Sequence, residues 1–105
     1  MTPRSAFLDA LKSGTNGAIL ADGGIGSLIF QLTGRLASTE YTYEALNLHN
    51  PELIKGIHAS SLAAGATVLT TNTFAANTVE LTAAGGGDRV DEINRAAVEL
   101  SLIHI

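Results

Sequence analysis

The predicted fold is decided by two stretches, Ala18-Ile-Leu-Ala-Asp-Gly-Gly-Ile-Gly26 and Val68-Leu-Thr-Thr-Asn-Thr-Phe74. Each is a short apolar run that ends abruptly in small or polar residues, which is typical of a parallel strand that reaches the rim of an α/β sheet or barrel. The first run ends in a carboxylate followed by glycines, where a ligand can approach the backbone closely. The second ends in hydroxyl and amide groups. The two ends are therefore predicted to form part of a binding site.

The length and composition indicate one small globular domain. At 105 residues the chain holds at most one domain, and its 46% hydrophobic and 15% charged residues describe a packed core rather than a disordered chain. The net charge is −4 and the Lys and Arg residues are scattered, which argues against a nucleic-acid surface. No apolar run approaches the roughly 20 residues of a membrane span, and the first residues lack a signal-peptide pattern. We therefore expect a cytoplasmic protein that binds neither nucleic acid nor membrane.

The other elements follow from helix signals and apolar periodicity. Asn50 is a good N-cap, Pro51 suits the first helical position, and Gly65 is a left-handed helix stop. The βαβ alternation indicates a parallel sheet, and since two strands are too few to complete one, the chain looks like the opening of a larger α/β fold. The predicted order is a helix at 3–13, a strand at 18–21, a helix beginning at 27–32, a loop at 33–42, a helix from 51 that stops at 65, a strand at 66–70, and helices at 78–83 and 88–100.

The polar residues after the two strands have more than one interpretation. Asp22 is either a turn residue, since Asp-Gly is a common turn pair, or a carboxylate that accepts hydrogen bonds from a substrate amine. Thr71, Asn72 and Thr73 either satisfy backbone groups where the strand ends or bind a ligand. Both interpretations stay open from the local sequence.

The glycines also match part of a dinucleotide-binding fingerprint. Gly24-Ile-Gly26 supplies the first half of G-x-G-x-x-G, but the third position is Ile29, where the helix needs Gly or Ala to pack closely. That interpretation is rejected, whereas a phosphate cradled by residues 23–26 at a helix N-terminus remains an alternative. No set of His, Asp and Glu residues has metal-ligand spacing, and no Ser–His–Asp order is evident.

A longer series of motifs runs through residues 16–100. In their order and spacing, these motifs resemble the homocysteine S-methyltransferase domain family, of the betaine–homocysteine methyltransferase type or of the type found at the N-terminus of methionine synthase. The motifs are Asp22-Gly-Gly-Ile-Gly-Ser27, Leu46-Asn-Leu48, Asn50-Pro-Glu-Leu-Ile54, Ile57-His58, Leu62, Ala64-Gly-Ala66, Thr71-Asn-Thr-Phe-Ala-Ala-Asn77, Asp88-Arg-Val90 and Glu92-Ile-Asn-Arg-Ala-Ala97.

Members of that family fold as (β/α)₈ TIM barrels. The resemblance therefore implies an α/β fold in which residues 1–105 are a partial homocysteine-binding domain, about the first two βα units of the barrel. Family members bind zinc through cysteine thiolates late in the sequence, and the zinc holds homocysteine as a thiolate, which attacks the methyl group of a donor to give methionine. The donor is betaine, S-methylmethionine, or a folate through cobalamin. By resemblance, Asp22 faces the amino group of homocysteine, and the substrate site contains Asp22, Gly23, Gly24, Thr71, Asn72 and Thr73.

The chain also departs from the family pattern. A (β/α)₈ barrel takes about 250 residues, whereas this chain has 105 residues and no cysteine. We therefore expect an N-terminal fragment that contributes part of the substrate site, holds no zinc by itself and transfers no methyl group alone. Residues 101–105 differ from the Ala- and Arg-rich continuation in the family, and a truncated or misjoined reading frame would explain them. An alternative is a non-catalytic partial barrel that associates with itself, or with a complementary half, through exposed strand edges.

Overall fold

The computed structural model describes residues 19–38 and 41–104, together with Leu8, Asp9 and Lys12. These three isolated residues are helical, and the rest of the helix predicted at 3–13 lies outside the described residues. Within the described ranges, no helix has the length and apolar character needed to cross a membrane. The helices that follow are α1 (Ile25–Thr33), α2 (Leu46–His49), α3 (Pro51–Ala63), α4 (Thr78–Ala83) and α5 (Val90–Leu102), with a 3₁₀ turn at Gly87–Arg89 directly before α5.

The predicted α/β architecture is wrong, because the described residues are mainly helical and form no sheet. Their β pairing is a single parallel bridge between Ala21 and Val68. Flanking hydrogen bonds hold this bridge: the Asp22 amide donates to the Val68 carbonyl at 3.0 Å, and the Thr67 amide donates to the Leu20 carbonyl at 2.8 Å. The two predicted strands therefore meet in parallel, as expected, but neither extends beyond the bridge.

The predicted strands stay short because a parallel pair is stabilised mainly by further strands at its edges and by helices on both faces. Among the described residues no third strand flanks the bridge, and Leu20 beside it is 53% exposed. The strands predicted at 18–21 and 66–70 thus shrink to one residue pair, with Ala18 outside the described residues. The interpretation as the first two βα units of a (β/α)₈ TIM barrel is contradicted.

The helices that carry strong local signals are confirmed. Helix α3 begins at Pro51 with Asn50 in the N-cap position, and Gly65 after its end has a φ of +106°, in the left-handed region where a side chain would be strained. Helix α4 has the predicted bounds, and the side chain of Asn77 caps it by accepting a hydrogen bond from the Glu80 amide at 2.9 Å. A capping side chain therefore fixes the start of α4 and a left-handed glycine follows α3, whereas Asn50 makes no side-chain capping bond.

Three helices differ from the prediction. Helix α1 spans Ile25–Thr33, so it begins before 27 and includes the first residue of the loop predicted at 33–42. Helix α5 begins at Val90 rather than 88, because residues 87–89 form the 3₁₀ turn. Helix α2 lies in a stretch with no predicted element, and its N-cap position is Ala45, which offers no side-chain cap. Tertiary packing rather than a local signal accounts for α2, since Leu46 and Asn47 are buried within it.

Two apolar clusters form the core. Helix α5 contributes to both, and its residues Ile93, Ala97 and Leu100 are all buried. The first cluster joins α1, α2, α3 and α5, and the second lies between α4 and α5. Their buried members are Ile29, Leu46, Ile54, Ile57 and Leu100 in the first, and Ala76, Leu81 and Ile93 in the second.

Candidate functional site

A cavity of about 750 Å³ lies where residues 23–26 meet residues 70–75. Ala37, Tyr43 and Glu44 complete its described lining, and we call it the rim cavity. The parallel bridge explains its position, because two parallel segments that pair at one point carry the residues after that point to the same side. Five of the six predicted site residues line it: Gly23, Gly24, Thr71, Asn72 and Thr73.

The sixth predicted residue, Asp22, is outside this lining and holds the two segments together. Its Oδ2 accepts a hydrogen bond from the Thr70 amide at 2.8 Å, and its Oδ1 accepts one from the Thr70 hydroxyl at 2.9 Å. Asp22 lines a different cavity, of about 300 Å³, together with Leu20 and Ser61. Both carboxylate oxygens of Asp22 are thus engaged with the segment that forms the opposite side of the bridge.

Asn72 is buried and has a positioning role. Its Nδ2 donates to the Tyr43 carbonyl at 2.9 Å and to Asn47 Oδ1 at 3.0 Å. In return, Asn47 Nδ2 donates to the Asn72 carbonyl at 2.9 Å and to the Ile93 carbonyl at 3.2 Å. We call this reciprocal pair, Asn47 with Asn72, the asparagine link. It fixes residues 70–75 against α2 and α5, and it leaves Asn72 Oδ1 buried without a partner.

Thr71 and Thr73 present hydroxyl groups on either side of Asn72. The two hydroxyl oxygens are 2.9 Å apart, and the Thr73 amide donates to the Thr71 carbonyl at 2.9 Å. Only one hydroxyl proton is used between them, so the other is free to donate to a ligand. Across the cavity, a Cβ built on Gly23 would meet no atom within 4 Å, which leaves the backbone open to close approach.

Glu44 is the residue of the rim cavity that sequence reasoning missed. It is 7% exposed, and among the described residues its carboxylate has no hydrogen-bond or ion-pair partner. Glu44 is one of the residues that line the cavity. Of the described residues that line the cavity, only Glu44 carries a charge. The available sequence signal was an acidic residue between aromatic Tyr43 and apolar Ala45, which does not by itself reveal burial.

His58 is a further buried polar residue, on α3. It lies fully buried on α3, neither ring nitrogen has a partner, and its ring centroid is 6.1 Å from that of His104. Burial lowers the pKa of His58, the charge of His104 lowers it further, and Asp22 acts in the opposite direction. The folded chain therefore favours the neutral imidazole.

The described residues do not fit the zinc site that the resemblance implies. The full sequence contains no cysteine, so no thiolate ligand is available from this chain. Across the described ranges, no three side chains of His, Cys, Asp or Glu come together in a way that could hold a metal ion.

The match to a known family follows the same part of the chain. The model of the family described as homocysteine S-methyltransferase matches residues 19–103. This range includes helices α1 to α5, the bridge and the described lining of the rim cavity. It confirms the resemblance drawn from the motifs: the chain belongs to the homocysteine S-methyltransferase family.

Proposed function

We propose that the rim cavity binds homocysteine, and that the chain is the part of a zinc-dependent homocysteine S-methyltransferase that contributes this portion of the substrate site. The observation that carries the proposal is that one cavity collects Gly23, Gly24, Thr71, Asn72 and Thr73. Its volume of about 750 Å³ lies within the range of ordinary ligand pockets. Family membership supports homocysteine as the ligand.

Each group in the cavity has a role that its surroundings support. The open backbone at Gly23 allows a ligand to lie against the chain. The hydroxyls of Thr71 and Thr73 supply the free donor. Asp22 keeps the walls together through Thr70. These residues bind and orient substrate, whereas methyl transfer needs an activated thiolate that no cysteine of this chain can help to hold.

The binding proposal is tested by calorimetric titration of the 105-residue chain with homocysteine. We expect saturable binding, and Thr73→Val should weaken it about tenfold because a hydrogen bond to the ligand is lost. Thr78→Val is the matched control, since Thr78 is an exposed residue at the start of α4 and should leave the affinity unchanged. Absence of homocysteine binding, or equal effects of the two variants, would refute the assignment of the cavity.

Inactivity of the isolated chain is tested separately. The chain is incubated with homocysteine, zinc and each methyl donor in turn: betaine, S-methylmethionine, and methyl-folate with cobalamin. We expect no methionine above background, and methionine formation would overturn this part of the proposal. Titration with inorganic phosphate distinguishes the alternative, because a phosphate cradle at the start of α1 predicts that phosphate binds and homocysteine does not.

A further inference from the structure

Two histidines that are distant in the sequence meet where α3 and α5 pack together. Ile57 of α3 and Leu100 of α5 belong to the same apolar cluster. His58 follows Ile57 on α3, and His104 lies in the turn after α5. The two imidazole rings have centroids 6.1 Å apart and planes inclined by 73°. The packing of the helices therefore places two side chains of the commonest metal-binding type next to each other.

The ring nitrogens of this pair lack hydrogen bonds. Both nitrogens of His58 and Nε2 of His104 are buried and have no hydrogen-bond partner among the described residues. Buried polar side-chain atoms usually have a partner, and each exception needs a physical explanation. A direct N–H···N bond would use the lone pair of one imidazole, whereas a metal ion between the rings would use one lone pair from each. The pair therefore has the chemistry of a metal site.

The distance between the rings is compatible with one shared ion. A metal–nitrogen bond of about 2.0 Å puts an imidazole centroid about 3.2 Å from the ion, so two imidazoles on one ion have centroids at most about 6.3 Å apart. A tetrahedral angle at the ion would bring the centroids to about 5.2 Å. The observed 6.1 Å lies close to the upper limit. It therefore favours a nearly linear arrangement of nitrogen, metal and nitrogen.

The number of ligands and the local charge restrict the kind of ion. Within the described ranges, no third side chain of His, Cys, Asp or Glu completes a metal-binding group with the pair. Zinc in proteins is almost always four-coordinate, whereas monovalent copper has a filled d shell and readily accepts two nitrogen ligands in a line. Burial lowers the pKa of His58 and favours the neutral, metal-binding imidazole, and the charge of Asp22 acts in the opposite direction. The same carboxylate would partly offset the single charge of a monovalent ion, which is less costly to bury than a double charge.

We propose that His58 and His104 form a two-coordinate binding site for a monovalent copper ion. The site is separate from the rim cavity, and neither histidine lines that cavity. His104 also lies beyond residues 19–103, which match the family model, so the family match does not assign this site. A bound ion would join the turn after α5 to α3 and would stabilise the folded chain, because binding to the folded state alone raises its stability.

The experiment titrates the full chain with copper(I), kept reduced by ascorbate under nitrogen, and separately with zinc. A coloured copper(I) chelator in competition measures the affinity. Copper(I) is diamagnetic, so proton NMR of the histidine ring C–H groups locates the ion. The variant His104→Phe keeps an aromatic ring beside His58 but removes both nitrogens. The matched control is His49→Asn, since His49 is an exposed histidine on α2. Circular dichroism checks the helices of each variant, and the NMR spectra of the unchanged chain locate the ion independently of any variant.

We expect one equivalent of copper(I) to bind, to shift the ring resonances of His58 and His104 together, and to raise the thermal midpoint. His104→Phe should weaken the affinity about a hundredfold or more, because loss of a direct ligand exceeds the effect of losing an outer partner. His49→Asn should bind copper(I) like the unchanged chain, and zinc should bind far more weakly. Absence of copper(I) binding, binding that shifts neither ring, or equal affinities for His104→Phe and the control would overturn the inference. Zinc binding as tight as that of copper(I) would overturn the two-coordinate assignment.

Discussion

Two polar links join distant parts of this chain, and they differ in their surroundings. Asp22 and Thr70 are 48 residues apart and meet in an exposed position beside the bridge between Ala21 and Val68. Asn47 and Asn72 are 25 residues apart and meet in the buried interior. Water competes with the first link and not with the second, so the same kind of hydrogen bond contributes differently to stability. The segments that Asp22 and Thr70 join should therefore separate more easily than the segments that the asparagine link joins.

The largest effect should come from breaking the buried link. Asn47→Ala removes three hydrogen bonds and leaves the carbonyls of Asn72 and Ile93 without these donors. We expect the free energy of unfolding to fall by about 2–4 kcal/mol, measured by urea denaturation followed by circular dichroism. Asn50→Ala is the control, because Asn50 is exposed and its side chain makes no capping bond, so its effect should stay within about 0.5 kcal/mol. Similar losses for both variants would contradict the importance of the asparagine link.

A smaller effect should follow from breaking the exposed link. Asp22→Ala should lower the free energy of unfolding by about 0.5–1.5 kcal/mol, because solvent replaces part of what is lost. The local effect should be clearer. Hydrogen exchange should accelerate at the Thr70 amide, which donates a hydrogen bond to Asp22, and should change little at the Ile93 amide in α5. Asp22→Asn keeps one acceptor oxygen, so its free energy of unfolding should lie between that of the unchanged chain and that of Asp22→Ala. A global loss as large as that of Asn47→Ala would remove the contrast between the links.

The smallest effect on the free energy of unfolding at neutral pH is expected from His58. This residue lies on α3, and the charge of Asp22 influences its pKa. Since burial lowers its pKa in the folded chain, the unfolded chain binds a proton first as the pH falls. The stabilising contribution of neutral His58 is therefore complete above the ordinary histidine pKa of about 6.5 and decreases as the pH falls from there towards the lower folded value. We expect His58→Phe to flatten the decline of unfolding free energy between about pH 7 and pH 5.

The matched control for this pH effect is His49→Asn, because His49 is exposed on α2. It should retain the decline seen in the unchanged chain. Parallel pH profiles for His58→Phe and the unchanged chain would show that burial of His58 has no energetic consequence.

The sequence predicts those structural features that depend only on residues close together in the chain. Pro51 and Gly65 mark the two ends of α3 as predicted, since a proline start and a left-handed stop are local properties, whereas Asn50 stands at the N-cap position without a side-chain bond. The β-branched run at 66–70 was interpreted as a strand, but a strand requires partners that local sequence cannot supply. Residues 46–49, for which no element is predicted, form helix α2, in which Leu46 and Asn47 are buried.

Some features of the candidate site can likewise be predicted from the sequence, and others cannot. The polar ends of the two runs were predicted to come together, and the parallel bridge brings Gly23, Gly24, Thr71, Asn72 and Thr73 into one cavity. The engagement of Asp22 with Thr70 depends on the register of that bridge, which the sequence does not reveal. The burial of Glu44 likewise depends on how α2 packs, so no local pattern marks it.

The two tyrosines beside the cavity have an optical consequence. The chain contains two tyrosines and no tryptophan, so its ultraviolet emission comes almost entirely from Tyr41 and Tyr43. Their rings meet edge to face with centroids 5.9 Å apart, Arg35 lies over the first, and the second lines the cavity. Part of the light emitted by the native chain therefore originates at the wall of the rim cavity, and binding of the proposed ligand there should change this emission without an added label.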